Sequence, residues 1–138
     1  FDVETMMKGY DAIKARVEEI QNKGFNATSK ELGLLECLKV CLEASARGIK
    51  FAKIDLYKSD WRVWQVADEH TIIPSFLSVD GLGETVAKNI VNERGKGKFV
   101  SVEDFQSRAK VSGTIIEKLK TIDVLENMPQ SSQLSLFD

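Results

Sequence analysis

The chain has 138 residues, of which 43% are hydrophobic and 29% are charged, with a formal net charge of −2. No apolar run approaches the ~20 residues that a membrane-spanning helix needs, and no signal-peptide pattern opens the sequence. We therefore expect neither a membrane span nor secretion. A chain of this size can bury a working apolar core. Because it begins with Phe1, we expect a fragment of a longer chain.

Charge is unevenly distributed along the sequence. The net charge is −1 over residues 1–79, +2 over residues 80–120 and −3 over residues 121–138. A near-neutral total therefore conceals a mildly basic segment between two acidic ones. Because binding to a charged partner responds to local fields, the total charge does not exclude nucleic acid.

Two helices are predicted in the first part of the chain. After Asp2, apolar residues recur every three or four positions, which predicts a helix that Gly24 ends. Thr28 and Glu31 then form a capping box, which predicts the start of a second helix running up to Gly48.

The two cysteines, Cys37 and Cys41, lie four residues apart in the second predicted helix. Zinc would need two further ligands, and the only histidine, His70, is distant in sequence. A disulfide is disfavoured because Cβ atoms at this helical spacing lie about 5–6 Å apart, against roughly 3.8 Å in a disulfide. Buried free thiols are predicted.

A small sheet is predicted next, because the apolar period changes to two from Ile49. The predicted strands cover residues 51–57, 61–66 and 70–73. We expect an antiparallel arrangement packed on the helical pair. Trp61 and Trp64 would lie on opposite faces of the middle strand, and two interpretations stay open for them: packing against a helix, or stacking on a nucleic-acid base.

Short helices separated by tight turns follow over residues 74–127. The predicted helices cover residues 75–79, 84–94 and 114–120, and a further helix begins at Ser101. Setting Gly81 on Lys110 aligns the apolar positions of two helix–turn–helix copies: Leu82 with Val111, Val86 with Ile115, Ala87 with Ile116, and Ile90 with Leu119. This is an internal repeat whose second turn lacks both glycines.

The turn Gly81-Leu82-Gly83 carries the strongest chemical signal. Its glycines let the backbone approach a ligand closely, and the following amides lie at a helix N-terminus, where a phosphate is stabilised without any reading of base sequence. Lys88, and Lys96 with Lys98 in the loop after the helix, are expected to add positive charge. A glycine-rich connection without a ligand is the alternative.

Residues 79–90, Val-Asp-Gly-Leu-Gly-Glu-Thr-Val-Ala-Lys-Asn-Ile, resemble the helix-hairpin-helix motif, a DNA-binding hairpin of polymerases, ligases and repair nucleases. That family usually has Pro where Asp80 stands, so a carboxylate lies near the expected phosphate path. The second copy, with Lys110 and Ser112 in place of glycines, resembles the degenerate partner of a tandem pair. The resemblance implies two hairpins related by a pseudo-two-fold axis that contact both strands of a duplex across the minor groove.

The end of the chain, after Met128, is predicted to be a flexible tail, since polar termini are usually disordered unless docked. It resembles the bacterial sliding-clamp-binding pentapeptide. The clamp-binding residues that this resemblance implies are Gln133, Leu134, Ser135, Leu136 and Phe137.

Nearly the whole chain resembles the C-terminal region of PolC-type bacterial DNA polymerase III alpha subunits. Residues 47–51 and 54–60 are close to family segments, whereas residues 61–71 depart from them. The implied fold is α+β, mostly α. The implied division is residues 1–73 as the end of the fingers, 74–128 as a tandem helix-hairpin-helix domain, and 129–138 as the clamp-binding tail.

The resemblance also implies a function. The longer chain would be a DNA-directed DNA polymerase of the bacterial cytoplasm, with its magnesium ligands before Phe1, and this stretch would hold no catalytic or metal-binding residue. Its implied partners are duplex DNA, the beta sliding clamp and the rest of the polymerase chain, with no membrane. The predicted DNA contacts are Gly81, Leu82, Gly83, Thr85, Lys88, Lys96, Lys98, Lys110, Ser112, Gly113, Thr114 and Lys118.

Two alternatives stay open. One is another DNA enzyme with tandem hairpins, such as an excision-repair nuclease subunit or a ligase. The other is a protein adaptor in which the repeat is only a helical interaction domain; it predicts no salt-dependent affinity for DNA.

Overall fold

The computed structural model describes residues 1–131, and its elements give the predicted class, α+β and mostly α. The helices are α1 (Val3–Lys8), α2 (Tyr10–Lys23), α3 (Ser29–Ala46), α4 (Glu84–Arg94), α5 (Val102–Ala109) and α6 (Gly113–Thr121). The strands are β1 (Lys50–Phe51), β2 (Gln65–Asp68) and β3 (Thr71–Ile73). Short 3₁₀ helices lie at Gly24–Asn26 and Phe76–Ser78.

The first predicted helix is two helices, because Gly9 interrupts it. Gly9 has a φ of 95°, a conformation that glycine adopts far more readily than other residues, and its amide donates to the Met6 carbonyl at 3.2 Å. The predicted start is confirmed, since the Asp2 carboxylate accepts from the Thr5 amide at 3.2 Å. Gly24 ends α2 as predicted.

The capping box at the start of α3 is confirmed. The Thr28 hydroxyl accepts from the Glu31 amide, and the Glu31 carboxylate accepts from the Thr28 amide, each at 3.1 Å. The Lys23 ammonium also binds this carboxylate, and together these donors lower the pKa of Glu31 to about 2. Further along α3, Cys37 is half-buried and Cys41 is buried, and both thiols are free. Burial raises the pKa of Cys41 to about 11, which keeps it protonated.

The sheet is mixed rather than antiparallel, so that part of the prediction is wrong. Its strand order is β1-β3-β2, with β1 parallel and β2 antiparallel to β3. The predicted strand over residues 51–57 ends at Phe51, because Ile54 and Leu56 leave the sheet and are buried in a different apolar cluster. The chain rejoins the sheet only at Gln65, the first residue of β2. β1 then pairs with β3, in the parallel direction.

Buried apolar residues form two clusters among the described residues. The smaller one joins α1, α2 and α3 to β1: Met6, Ile13, Val17, Ile20, Leu35, Leu38, Cys41 and Phe51. The larger one lies within the second half of the chain but also takes in three residues from the first half: Val3, Ile54 and Leu56.

Arg94 attaches the segment of residues 54–60 to the second half. Its guanidinium, at the end of α4, donates to the carbonyls of Leu56 and Ser59 and lies 5.9 Å from the centre of the Phe76 ring. The fully buried Ser59 hydroxyl in turn accepts from the Asp55 amide at 2.9 Å. The division between residues 73 and 74 stays a prediction; the packing places the segment of residues 54–60 with the later helices.

Candidate nucleic-acid interface

The internal repeat forms two helical hairpins of similar construction. The first hairpin comprises the 3₁₀ helix Phe76–Ser78 and α4, joined by the first turn (residues 80–83). The second comprises α5 and α6, joined by the second turn (residues 109–112). Equivalent residues lie 29 positions apart, and their burial matches. The buried pairs are Phe76 with Phe105, Leu82 with Val111, Ala87 with Ile116, and Ile90 with Leu119.

The two turns follow the same backbone path. Gly81 and its equivalent, Lys110, have φ values of 85° and 58°. Two residues later, Gly83 and Ser112 are extended N-caps with ψ values of 169° and 157°. The loss of both glycines has therefore not changed the geometry of the second turn. Leu82, a predicted contact residue, is buried and anchors the first turn.

Each turn is held by a side chain from the other hairpin. The Lys118 ammonium, on α6, donates to the Asp80 carbonyl of the first turn at 2.8 Å. The Asn89 amide, on α4, donates to the Ala109 carbonyl of the second turn at 3.2 Å. Asn89 and Lys118 are equivalent positions in the repeat, as are Asp80 and Ala109. This exchange is the signature of a pseudo-two-fold relation between the hairpins.

The helix starts after the two turns differ in their backbone donors. In the second hairpin the Ser112 hydroxyl accepts from the Ile115 amide at 3.3 Å, which satisfies one of the free N–H groups of α6. Gly83 has no side chain with which to do this for α4. A Cβ atom at Gly83 would meet nothing within 4 Å, so the approach to the first amides of α4 is open.

Charged side chains surround the first turn. The Asp80 carboxylate lies 2.7 Å from the Lys30 ammonium, on α3, and 3.6 Å from the Lys118 ammonium. These cations, Lys30 first, lower the pKa of Asp80. At the start of α4, Glu84 lies 2.7 Å from Lys88, whose ammonium lowers the pKa of that carboxyl. The carboxylate expected near the phosphate path is therefore present and already paired.

The lysines of the loop after α4 do not join the first turn. Eleven residues of α4 separate that loop from the turn, a length of about 16 Å. Arg108, at the end of α5, donates to the carbonyls of Glu93, Gly97 and Lys98, which places the loop beside the second turn. Lys96 and Lys98 therefore lie beside the second turn, whereas Lys88 lies on α4 near the first turn, and the DNA contacts of all three lysines stay predictions.

Arg108 organises this loop, and its role was not found from the sequence. Its guanidinium lies 4.5 Å from the centre of the Phe99 ring and 3.2 Å from the Asp104 carboxylate. An arginine in the last turn of a helix fits the helix dipole, but nothing local indicates which carbonyls it reaches.

The predicted lysines differ in their ion pairs. Lys96 pairs with Glu93 at 2.7 Å, whereas Lys98 and Lys110 form no ion pair within residues 1–131. The remaining predicted contacts are exposed at the helix starts: Thr85 on α4, and Gly113 and Thr114 on α6.

Neither tryptophan lies in a strand, and each packs against one of the two apolar clusters. Trp61 is half-buried against the larger cluster, and the Lys88 ammonium lies 4.8 Å from the centre of its ring. Trp64 makes edge-to-face contacts with Phe1 and Phe51, at centroid distances of 5.0 and 6.0 Å.

The predicted clamp-binding residues, 133–137, lie outside the described residues. The chain leading toward them packs on α5, where the Val102 and Glu103 amides donate to the carbonyls of Pro129 and Gln130 at 2.8 and 3.1 Å. These carbonyls occupy the start of α5, which therefore differs from the starts of α4 and α6.

Within residues 1–131, no group of three or more His, Cys, Asp or Glu side chains is arranged to hold a metal ion. No helix in the same range is both long and apolar enough to cross a membrane.

The paired turns, their shared core and the exchanged hydrogen bonds define a tandem helix-hairpin-helix protein. In agreement, residues 48–134 match the family described as "Helix-hairpin-helix motif", and the chain belongs to that family.

Along its length it is also similar to a segment of PolC-type polymerases, which confirms the resemblance found from the sequence. It is 48% identical over 138 residues to "DNA polymerase III PolC-type" of Lactococcus lactis subsp. lactis (strain IL1403), covering 100% of this chain and 8% of the relative. The corresponding protein of Bacillus subtilis (strain 168) is 47% identical over 137 residues, covering 99% of this chain and 10% of the relative. The chain spans about a tenth of the length of these curated relatives.

Proposed function

We propose that this chain is the duplex-DNA-binding portion of a replicative, DNA-directed DNA polymerase. The observation that carries the proposal is the pair of turns related by the exchanged Lys118–Asp80 and Asn89–Ala109 hydrogen bonds. Two equivalent turns related by a two-fold axis fit the two strands of a duplex, whose phosphates are related in the same way. The similarity to PolC-type polymerases supports this partner.

The proposed contacts are made to the phosphate backbone. Open amides at the start of α4 favour an anion, as does the Lys110 ammonium beside the start of α6, which forms no ion pair within residues 1–131. Contacts of this kind position a protein on a duplex and carry no direct information about base sequence. The domain therefore holds the duplex regardless of its sequence, as a replicative enzyme requires.

Polymerisation itself is assigned to the rest of the longer chain, where magnesium would be held. The residues 133–137 are proposed to bind the beta sliding clamp and to tether the polymerase to it. Such a tether raises the effective concentration of the enzyme at the primer end without any new DNA contact. We infer from these proposed activities that the protein works in the bacterial cytoplasm.

Duplex binding is tested by fluorescence anisotropy with a labelled random-sequence duplex at ~50 and ~200 mM salt. We expect the affinity of the 138-residue chain to fall steeply with salt, with a slope of about 0.9 per phosphate contact. The variant Lys98→Glu/Lys110→Glu should flatten this slope. The control Lys14→Glu/Lys39→Glu makes the same change in net charge on α2 and α3, outside both hairpins, and should leave the slope largely unchanged.

Absence of binding at low salt, in a chain shown by circular dichroism to be folded, would contradict the proposal and favour the protein adaptor. The clamp assignment is tested separately by deleting residues 133–138. We expect this deletion to abolish binding to the purified clamp and to leave duplex affinity unchanged. Clamp binding that persists would show that the tail assignment is wrong.

A further inference from the structure

The first turn has no net positive charge of its own. The carboxylates of the turn and of the residue after it, Asp80 and Glu84, are matched by the ammonium groups of Lys118 and Lys88, at 3.6 and 2.7 Å. The second turn and the two residues after it contain no carboxylate and include Lys110. On hairpin residues alone, the first turn is therefore the weaker site for a polyanion, despite its open backbone.

A cation from the helical pair lies beside the first turn. Lys30, the second residue of α3, is fifty positions from Asp80 in sequence, and its ammonium is 2.7 Å from the Asp80 carboxylate. Its side chain is 75% exposed, so the ammonium remains accessible to a second anion. The pair is exposed, and such pairs hold their partners weakly.

A second cation reaches the first hairpin from the segment before β2. The Asp60 carboxylate accepts from the amides of Arg62 and Val63 at 3.0 and 2.8 Å, which forms a tight turn. This turn is joined to the start of the first hairpin, because the Phe76 amide donates to the Asp60 carbonyl at 3.0 Å and the Leu77 amide donates to the neighbouring Trp61 carbonyl at 3.1 Å. Arg62 is therefore fixed to the same hairpin as the first turn.

The Trp61 ring gathers two cations on the α4 side of this hairpin. The Arg62 guanidinium lies 5.4 Å from the ring centre and the Lys88 ammonium lies 4.8 Å from it. Lys88 is also bound to Glu84, the first residue of α4. A half-buried aromatic ring thus orders two long basic side chains next to the first turn, which lowers the entropy that an anion must remove on binding.

We propose that Lys30 and Arg62 complete a composite phosphate-binding site around the first turn. The ligand class is the phosphodiester backbone of duplex DNA, and the inference rests on the proposed function. On binding, a phosphate takes the place of the Asp80 carboxylate at Lys30, and a neighbouring phosphate contacts Arg62 beside Trp61. The first half of the chain thus supplies the charge that the first hairpin lacks.

The test measures duplex affinity of Lys30→Gln and Arg62→Gln in the 138-residue chain between ~50 and ~200 mM salt. Each lost phosphate contact should lower the salt slope by about 0.9. The loss of affinity between the two salt concentrations should therefore be roughly threefold smaller in the variant than in the unchanged chain. Lys39→Gln and Arg47→Gln are matched controls: Lys39 is on α3 and Arg47 caps its end, and each is paired with a carboxylate, Glu36 and Glu43 respectively. The controls should leave the slope unchanged, and Arg62→Lys should retain it.

Lys30 has a competing role, which is only to neutralise Asp80. The two roles separate in an Asp80→Asn background, where no carboxylate remains to be neutralised. A direct contact predicts that Lys30→Gln still lowers the slope in that background; an unchanged slope overturns the proposal for Lys30. If Lys30→Gln and Arg62→Gln both keep the salt slope of the unchanged chain while Lys98→Glu/Lys110→Glu lowers it, this inference alone is overturned. Failure of the unchanged chain to bind overturns the proposed function as well.

Discussion

The two hairpin turns reach one backbone geometry with different residues, and the difference separates shape from charge. The first turn uses Gly81 and Gly83, which leaves the backbone open, but Asp80 beside them introduces a carboxylate. The second turn uses Lys110 at a φ of 58°, a conformation that costs a non-glycine residue roughly 1–2 kcal/mol, and gains a cation. A turn that looks degenerate in sequence thus keeps its geometry and becomes the more basic of the two.

Both hairpins contribute to the larger apolar cluster, and we expect them to unfold together. Phe76 and Phe105 are equivalent, fully buried residues of the larger cluster. Replacing either by Ala should therefore lower the free energy of unfolding by about 3–5 kcal/mol. Urea unfolding followed by far-UV circular dichroism and tryptophan fluorescence should show one transition in each variant. Phe25→Ala, at a fully exposed position, is the matched control and should change little. If either variant unfolded in two separate transitions, the two hairpins would not be equivalent parts of one core.

The sequence predicted those parts of the fold that depend on local signals. The helix starts at Thr28 and Ser101 rest on side chains that accept from amides three residues ahead, and this spacing is visible in the sequence. The repeat was found because the apolar positions of a hairpin recur 29 residues later. The first turn was recognised because Gly81 and Gly83 let the backbone approach a ligand closely, and the structure adds that Gly81 has a positive φ.

The parts that were missed depend on contacts between distant residues. No local pattern indicates that Arg94 binds the carbonyls of Leu56 and Ser59, and this contact accompanies the departure of residues 54–60 from the predicted strand. The parallel pairing of β1 with β3 follows from that departure. For the candidate site, the sequence placed the turns correctly but gave no sign of Lys30, which reaches Asp80 only after folding.

Exchanging residues at the positive-φ position sharpens the comparison of backbone strain. Gly81→Ala should lower the free energy of unfolding by about 1–2 kcal/mol. The added Cβ would also lie 3.3 Å from the Lys118 ammonium and 3.4 Å from the Ile115 side chain. Lys110→Gly should have the opposite sign and raise it by about 0.5–1 kcal/mol, because relief of strain exceeds the added freedom of the unfolded chain. Urea unfolding of both variants checks this, and equal signs would refute the assignment of strain to Lys110.

Removing the carboxylate of the first turn tests whether charge, rather than shape, limits that site. Asp80→Asn should strengthen duplex binding about fivefold at low salt, since a charge repulsion of ~1 kcal/mol is lost. The advantage should shrink at ~200 mM salt as screening increases. Asp11→Asn, at the start of α2, makes the same chemical change away from the hairpins and should have little effect. Anisotropy titrations at two salt concentrations provide the measurement, and an unchanged affinity would exclude Asp80 from the duplex path.

The smallest expected effect comes from exchanging the two N-caps, and it distinguishes open amides from charge as the source of affinity. Gly83 has a φ of −80° and no atom within 4 Å of an added Cβ, so Gly83→Ser should be accommodated, and its hydroxyl should cap α4 as Ser112 caps α6. Gly83→Ser should raise the free energy of unfolding by ~0.3 kcal/mol, and Ser112→Gly should lower it by a similar amount. The new hydroxyl would occupy an amide that a phosphate needs, so duplex affinity should move in the opposite direction to stability in both variants. Affinity that instead follows stability, or does not move, would show that the lysines and Arg62 hold the duplex and that the open amides of α4 take no part.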